Sequence, residues 1–434
     1  MSYDPPEVMA GVVGHLRVPG GPGTGEELAM VATRRSFLLA LSLLPPSVAV
    51  STAPAAAAAV QPYVSLRRHS TPAHFERASR TAVVVESRSG RAHLRLASSG
   101  LQTGRNASRY GISGPYYYGR LTSPKTTSAQ PFDRIITSWN ATTPAGTWVQ
   151  VEVRAYRPAE SRWTKFYRMG VWAQGTETVK RHSVPGQGNA DGFVDTDVLA
   201  LTGGAVCSRF QYRLTLFTKD RSISPAVSMV SVMTSSSARE AAGLPVYSDR
   251  QAWGRDLDVP KRSQMIYPDG GEVWCSPTSV SMVLGYWGKS VTVPRAASLT
   301  YDHAYRGHGN WPFNTAWAST YGLDAYVTRM GSLAQLEEWI SAGVPVVISV
   351  AWKRGELTGA PIASSNGHVI VVRGFDRNGD VVVNDPAASS DARVRLVYRR
   401  AELFRVWLKY SGGTAYLIHP RTHPVPTDKR HGSW

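Results

Sequence analysis

The stretch "VWCSPTSVSMVLGYWG" at 273–288 holds Cys275, one of two cysteines in a chain of 434 residues. It stands directly before Ser276 and Pro277, at the head of a run with helical spacing. Val280, Val283, Leu284 and Trp287 share one stripe of that run. Cys275 is therefore expected at or next to the N-cap, with Ser276 as the alternative cap. Pro277 suits a first turn that needs no N–H. Unpaired backbone N–H groups and the helix dipole favour negative charge at such a position. A thiolate is favoured there, and the thiolate is the nucleophilic form of cysteine. Two other roles stay open from the residues alone. One is an inert buried thiol. The other is a disulfide to Cys207, which an oxidising compartment would permit.

A nucleophilic thiol needs a base, and "NGHVIVVRGFDRNGDVVVNDPA" at 366–387 offers one. His368 opens a strand of Val and Ile. A turn around Asn378-Gly379 reverses the chain, and the next strand ends at Asn384-Asp385-Pro386. A tight two-residue turn would set Arg377 opposite Asp380 and Val372 opposite Asp385. Val372 lies on the same side of its strand as His368 but four residues away, about 13 Å along a strand. The parity brings carboxylate and imidazole to one face, and a longer turn, a bulge or strand coiling must close the gap. A plain surface histidine at a strand start is the other reading. Elsewhere, "YDHAYRGHGNWPFNTAWA" at 301–318 carries His303 and His308, with no third ligand nearby to hold a metal. A loop and short helix beside the cleft is expected there, with no metal and no cofactor.

These groups need a scaffold, and the pattern divides into two. Between about 80 and 235, "TAVVVES", "RIITSWN", "TWVQVEVRAY", "RWTKFYRMGVWA", "RFQYRLTLF" and "AVSMVSVM" alternate apolar with polar residues or are β-branched and aromatic. Turn-forming clusters separate them, which predicts an all-β sandwich of jelly-roll type. Its aromatics, among them Trp139, Trp148, Trp163, Tyr167, Trp172 and the "PYYYG" at 115–119, either fill the core or line a sugar-stacking face. Residues 236–250 read as a linker, and 251–420 as an α+β domain. There "SLAQLEEWISAG" at 332–343 predicts a second helix, with Ser332 and Gln335 as a capping box and Gly343 at its end. Strands are expected at 344–352, 368–375, 380–385 and 414–419, and a polar tail at 421–434.

The first 59 residues carry an address. "TRRSFLL" at 33–39 places paired arginines before a short apolar stretch broken by Pro45 and Pro46, and small residues follow at 51–60. A spanning helix needs ~20 apolar residues, so this is expected to be a twin-arginine-type signal peptide, with Met30 as an alternative start. The rest holds no membrane segment, and an extracytoplasmic protein is expected. The formal net charge of +17 favours anionic polymers of the cell wall as partners. No dense Lys/Arg run, zinc-finger spacing or RNA-binding aromatic signature accompanies that charge, which argues against nucleic acid.

The block from Ser263 through the Cys275 helix, "GVPVVISV" at 343–350, and the Gly367-His368 strand with its "NDP" end resemble the papain-like cysteine peptidases akin to the bacteriocin leader-processing peptidases. The secreted, stand-alone members are the nearest match. The resemblance implies Cys275 as nucleophile, His368 as general base and Asp385 as the group that orients the imidazole, with Asn384 as the alternative. It implies Gln264, eleven residues before Cys275, as an oxyanion-hole donor alongside the Cys275 backbone N–H. Ser276 departs from the glycine common at that position in relatives. The expected function is a secreted cysteine peptidase acting on a peptide or cell-wall peptide. The alternative is a non-catalytic surface protein with a degenerate peptidase half and a glycan-binding sandwich.

Overall fold

The β-branched and aromatic runs of the N-terminal half all become strands. In the computed structural model, residues 64–106, 108–237, 248 and 250–426 are described. The expected signal peptide, most of the linker and the end of the polar tail lie outside the described residues. Two antiparallel sheets face one another. In one, Arg134–Thr142 and Ala226–Ser235 pair at the centre. Val83–Arg88 and Arg91–Leu96 lie on one side, and Gly192–Asp195 and Val198–Leu201 on the other. In the other, Cys207–Thr218 runs between Thr147–Arg157 and Pro115–Thr122. The alternation in "TWVQVEVRA" sends Val149, Val151, Val153 and Ala155 inward, each fully buried. Val64–His69 pairs with Ala226–Ser235, so this sandwich starts at Val64 rather than near 80. "RWTKFYRMGVWA" is two strands, Arg162–Trp163 and Tyr167–Trp172, not one.

The aromatics sort largely to the interior. Trp139, Trp148, Tyr167 and Trp172 are buried, and Trp148 stacks on Phe217 with centroids 5.0 Å apart. That leaves no row of exposed tryptophans among the described residues of the sandwich for a sugar to stack on.

The C-terminal half is a six-stranded antiparallel sheet in the order Leu323–Arg329, Thr414–Pro420, Val346–Trp352, Ser365–Phe375, Val381–Asn384, Arg395–Tyr398. Helix Cys275–Tyr286 packs on it, buried on every face from Ser276 to Leu284 rather than along one stripe. The second expected helix spans Leu333–Ser341. Ser332 caps its start by accepting from the Gln335 N–H, and Gly343 follows its end at φ +80°. The Gln335 side chain accepts from the Gly331 N–H, one residue short of the N-cap, so the reciprocal half of the box does not form. The short helix expected within 301–318 spans Trp311–Ser319, and helices Val293–Thr300 and Arg400–Ser411 add to the three expected.

The two halves do not stand apart. Phe313, from the helix Trp311–Ser319, lies between Trp139 and Trp172 of the sandwich at centroid distances of 6.2 and 5.5 Å. The outer strand Leu323–Arg329 runs along the sandwich strand Arg134–Thr142. Asn140 donates to the Ala325 carbonyl at 2.6 Å, and the Val327 N–H donates to Ser138 at 3.1 Å. One contiguous apolar core therefore serves both halves. A linker in the sequence implied separable domains, but the apolar faces cover each other. No helix among the described residues is long and apolar enough to cross a membrane.

Candidate functional site

The chain enters the site through a single turn of 3-10 helix, Gly271–Val273. Trp274 takes the N-cap position, and Cys275 is the first helical residue. Neither Cys275 nor Ser276 caps the helix. Ser276 is buried, and its hydroxyl meets the Tyr416 hydroxyl at 3.1 Å. Pro277 sits in the first turn, where its missing N–H costs nothing. The backbone N–H of Cys275 has no acceptor within its own helix, because the first four donors of any helix lack one. Both thiols are free, so no bridge joins Cys275 to Cys207.

His368 faces this helix from the strand Ser365–Phe375, and the Ser279 hydroxyl donates to the neighbouring Val369 carbonyl at 2.9 Å. That bond fixes helix against strand beside the imidazole. His368 is 3% exposed, and the Trp352 ring meets it edge-on at 5.6 Å. Its Nε2–H donates to Asp385 Oδ1 at 2.7 Å. The remaining nitrogen, Nδ1, is left for the Cys275 thiol, which lies close enough to favour the protonated imidazole.

The gap expected from the hairpin closes in two steps. Asp376, not Arg377, pairs with Asp380, because the turn holds three residues, 377–379. Gly379 takes φ +83° there, and a Cβ on it would strike the Trp253 ring at 2.3 Å. A bulge between Val372 and Gly374 then shifts the register once more, so that Asn384 faces Val371. Continued by one residue, the ladder sets Asp385 level with Ile370, two residues from His368 instead of four. That is about 7 Å along the strand, within reach of two side chains.

Asp385 is fully buried, and burial alone would push its carboxyl up. The charge and hydrogen bond of His368 outweigh this, helped by the Tyr398 hydroxyl at 2.6 Å on Oδ2 and the Ala387 N–H at 2.9 Å on Oδ1. The carboxyl is held below its usual range. Burial pulls the imidazole down, but the Asp385 charge and hydrogen bond, with the nearby Cys275 thiol, raise it above its usual value. The arrangement is an imidazole and a carboxylate bonded to each other with a thiol alongside, out of water except at the half-buried sulfur.

Gln264 is brought close but not in the expected posture. Its backbone N–H donates to the Pro386 carbonyl at 2.9 Å. Both hydrogens of its Nε2 are spent on the carbonyls of Gly271 and Glu272, at 2.9 and 2.8 Å. It braces the turn that delivers Cys275 and presents no spare N–H to an oxyanion. Asn384 points elsewhere: its amide donates to the Val259 and Pro260 carbonyls and accepts from Arg373. It is not the orienting group. His308 packs against Trp274, rings 6.1 Å apart, and its Nδ1 meets the Ala297 carbonyl.

Tyr398 and Trp352 had no signal in the sequence. Tyr398 closes an alternating strand, "RLVY", and only the pairing of that strand with Val381–Asn384 carries its hydroxyl to the carboxylate. Trp352 ends a buried strand, and its place over the imidazole depends on a bulge between Val350 and Trp352.

Comparisons with known proteins bear on both halves. Residues 256–415 match the Peptidase_C39 like family, and residues 65–235 match the Peptidase C39 N-terminal domain. The resemblance read from the Cys275 and His368 blocks is thus met by the family model over that part of the chain. No curated protein matches. Among solved structures, a double glycine motif protease from an AMS/PCAT transporter, in complex with the leader peptide, is 21% identical. The match covers 39% of this chain and 97% of that one, with a TM-score of 0.26. A carbohydrate-binding module from the β-sandwich superfamily is 14% identical over 39% of this chain and 56% of that one, TM-score 0.19. The Clostridium thermocellum xylanase 10B CBM22-1–GH10 modules, complexed with xylohexaose, are 8% identical over 44% and 31%, TM-score 0.18. At these TM-scores the structural likenesses carry no argument.

Proposed function

We propose that the protein is a cysteine peptidase of papain-like mechanism, with Cys275 as nucleophile, His368 as general base and Asp385 as the orienting carboxylate. The observation that carries this reading is the His368–Asp385 bond, 2.7 Å between Nε2 and Oδ1, with the Cys275 thiol beside the same imidazole. The peptidase family model over 256–415 agrees with it.

His368 takes the thiol proton as the sulfur attacks the scissile carbonyl. The imidazolium formed is stabilised by Asp385, which Tyr398 and the Ala387 N–H hold in place. His368 then gives its proton to the leaving amine, and a thioester to Cys275 remains. Water, activated by the same imidazole, releases the acid and restores the thiol. The Cys275 backbone N–H is a donor for the oxyanion. Gln264 becomes a second one only by releasing a backbone carbonyl, so its part is to hold the Gly271–Val273 turn. Met265, Ile266 and Val273 stay exposed on the segment leading to Cys275 and offer an apolar rim to a peptide side chain.

The paired arginines at 34–35 and the apolar stretch after them support an extracytoplasmic site of action, on peptides or cell-wall peptides. The test is incubation of the full chain with a diverse peptide library and purified peptidoglycan, with Cys275→Ala as control and products read by mass spectrometry. Products formed by the wild type and absent with the variant support the reading. Identical product lists, or none from either substrate, sink it.

A further inference from the structure

A second site lies where the two halves meet. A cavity of about 470 Å³ is lined by Arg109, Tyr110 and Lys180 from the sandwich and by His303, Ala304 and Arg306 from the loop before the helix Trp311–Ser319. Its volume falls in the range of small-ligand pockets. No acidic side chain lines it, and none of Arg109, Lys180 and Arg306 has an ion-pair partner among the described residues. The nearest acid of the loop, Asp302, is turned away. Its Oδ1 accepts from the backbone N–H groups of Ser183, Ala304 and Tyr305, and its Oδ2 from the Asn310 amide.

One of the exposed cations is held against an aromatic ring. Arg109 donates to the Tyr110 hydroxyl at 2.7 Å, and its guanidinium lies 4.9 Å from that ring's centroid. Tyr110 in turn stacks on His182, centroids 3.8 Å apart. Arg306 sits at φ +60°, a left-handed conformation that glycine adopts without strain and other residues adopt at a cost. Burial chiefly, with the positive charge of Arg181 and Lys180 and against the charge of Asp302, holds the His303 imidazole below its usual range. The loop then continues to His308, which packs on Trp274 beside the nucleophile.

We propose that this junction cavity is an anion-binding site, formed jointly by both halves, that takes the phosphate or carboxylate groups of an anionic polymer. Three guanidinium and ammonium heads with unused donors around an aromatic wall suit such a ligand. The site goes beyond the peptidase reading and does not depend on it, because it is tested by binding without turnover. Both halves are required, which gives the shared core a consequence for recognition.

The experiment titrates the full chain with a short poly(glycerol phosphate), with poly-glutamate and with neutral dextran, by calorimetry at two salt concentrations. Arg109→Gln, Lys180→Gln and Arg306→Gln are combined in one variant. Arg77→Gln, Arg105→Gln and Arg354→Gln, exposed cations outside the cavity, are combined in another that removes the same charge. Loss of three charge-assisted contacts is expected to weaken binding of a polyanion about tenfold or more, while the control triple stays near the wild type and dextran does not bind. The stronger of the two polyanions identifies the source of the anion. Arg306→Gly relieves the backbone strain, so it is expected to keep the fold while weakening binding. Equal losses in the two triples, or no polyanion binding by the wild type, overturn the proposal.

Discussion

The sandwich half holds Cys207 at the start of the strand Cys207–Thr218, fully buried beside apolar neighbours. The C-terminal half holds Cys275 at the start of a helix, half-buried and beside an imidazole. Burial pushes the Cys207 thiol up to about 12. One sulfur is a small core side chain, and the other has a base within reach and an opening to solvent. The same contrast holds for two buried carboxylates. Asp385 accepts three hydrogen bonds, one from the His368 imidazole, and stays below its usual range. Asp197, from the turn between Gly192–Asp195 and Val198–Leu201, enters the C-terminal half to accept the Trp311 N–H at 2.7 Å. Burial, outweighing that single bond, pushes it up to about 8. Burial alone makes a group inert or costly. Burial with partners makes it a working one.

The largest effect expected from this contrast is on turnover. Cys275→Ala should reduce kcat/KM on any peptide found to be a substrate by about 10³-fold or more, whereas Cys207→Ala should leave it within about twofold and cost roughly 1 kcal/mol of stability. Equal activity losses would erase the distinction between the sulfurs. Next comes Tyr398→Phe, which removes one donor from Asp385. The carboxyl pKa, depressed in the native site, should rise, so activity is lost at a higher pH on the acid side. A drop in kcat of about tenfold, an acid limb of the pH profile moved upward and an unchanged KM are expected. A change in melting temperature alone would make Tyr398 merely structural.

The smallest effect concerns Asp197. Its carboxyl is raised in the folded state, so the native protein holds a proton that the unfolded chain releases. The stability tied to that proton is present at acid pH and lost as pH rises from about 4 in the unfolded chain towards about 8 in the folded one. Asp197→Asn keeps an acceptor for Trp311 and removes the charge. It should raise the melting temperature at pH 8 by about 2–5 °C and less at pH 5. A pH-independent change would show that the desolvation argument fails.

Much of this was readable from residue order, for reasons that are local. The "CSPTSVSMVLGYW" run carried its helix, and the "HVIVVRGF" and "DVVVND" runs carried their strands, because period and turn residues are local signals. The parity of His368 and Asp385 followed from the two-residue repeat of a strand. What failed was whatever depends on a single inserted residue. The bulge at Arg373 and the third turn residue each moved Asp385 closer by one position, and neither leaves a mark in the pattern. Tyr398, the posture of Gln264 and the wedging of Phe313 between two sandwich tryptophans are contacts between distant segments. The linker-like composition of 236–250 concealed the last of these, since a polar connection says nothing about whether the faces it joins are apolar.

The central claim is that His368 activates Cys275. Iodoacetamide labelling, followed site by site by mass spectrometry across pH in the wild type and in His368→Ala, tests it without knowledge of the substrate. At pH 6 the account predicts that Cys275 of the wild type reacts about 100-fold faster than Cys207, and that the variant loses this lead. Equal, slow labelling of both sulfurs in the wild type, or a lead for Cys275 that survives without the imidazole, would contradict it.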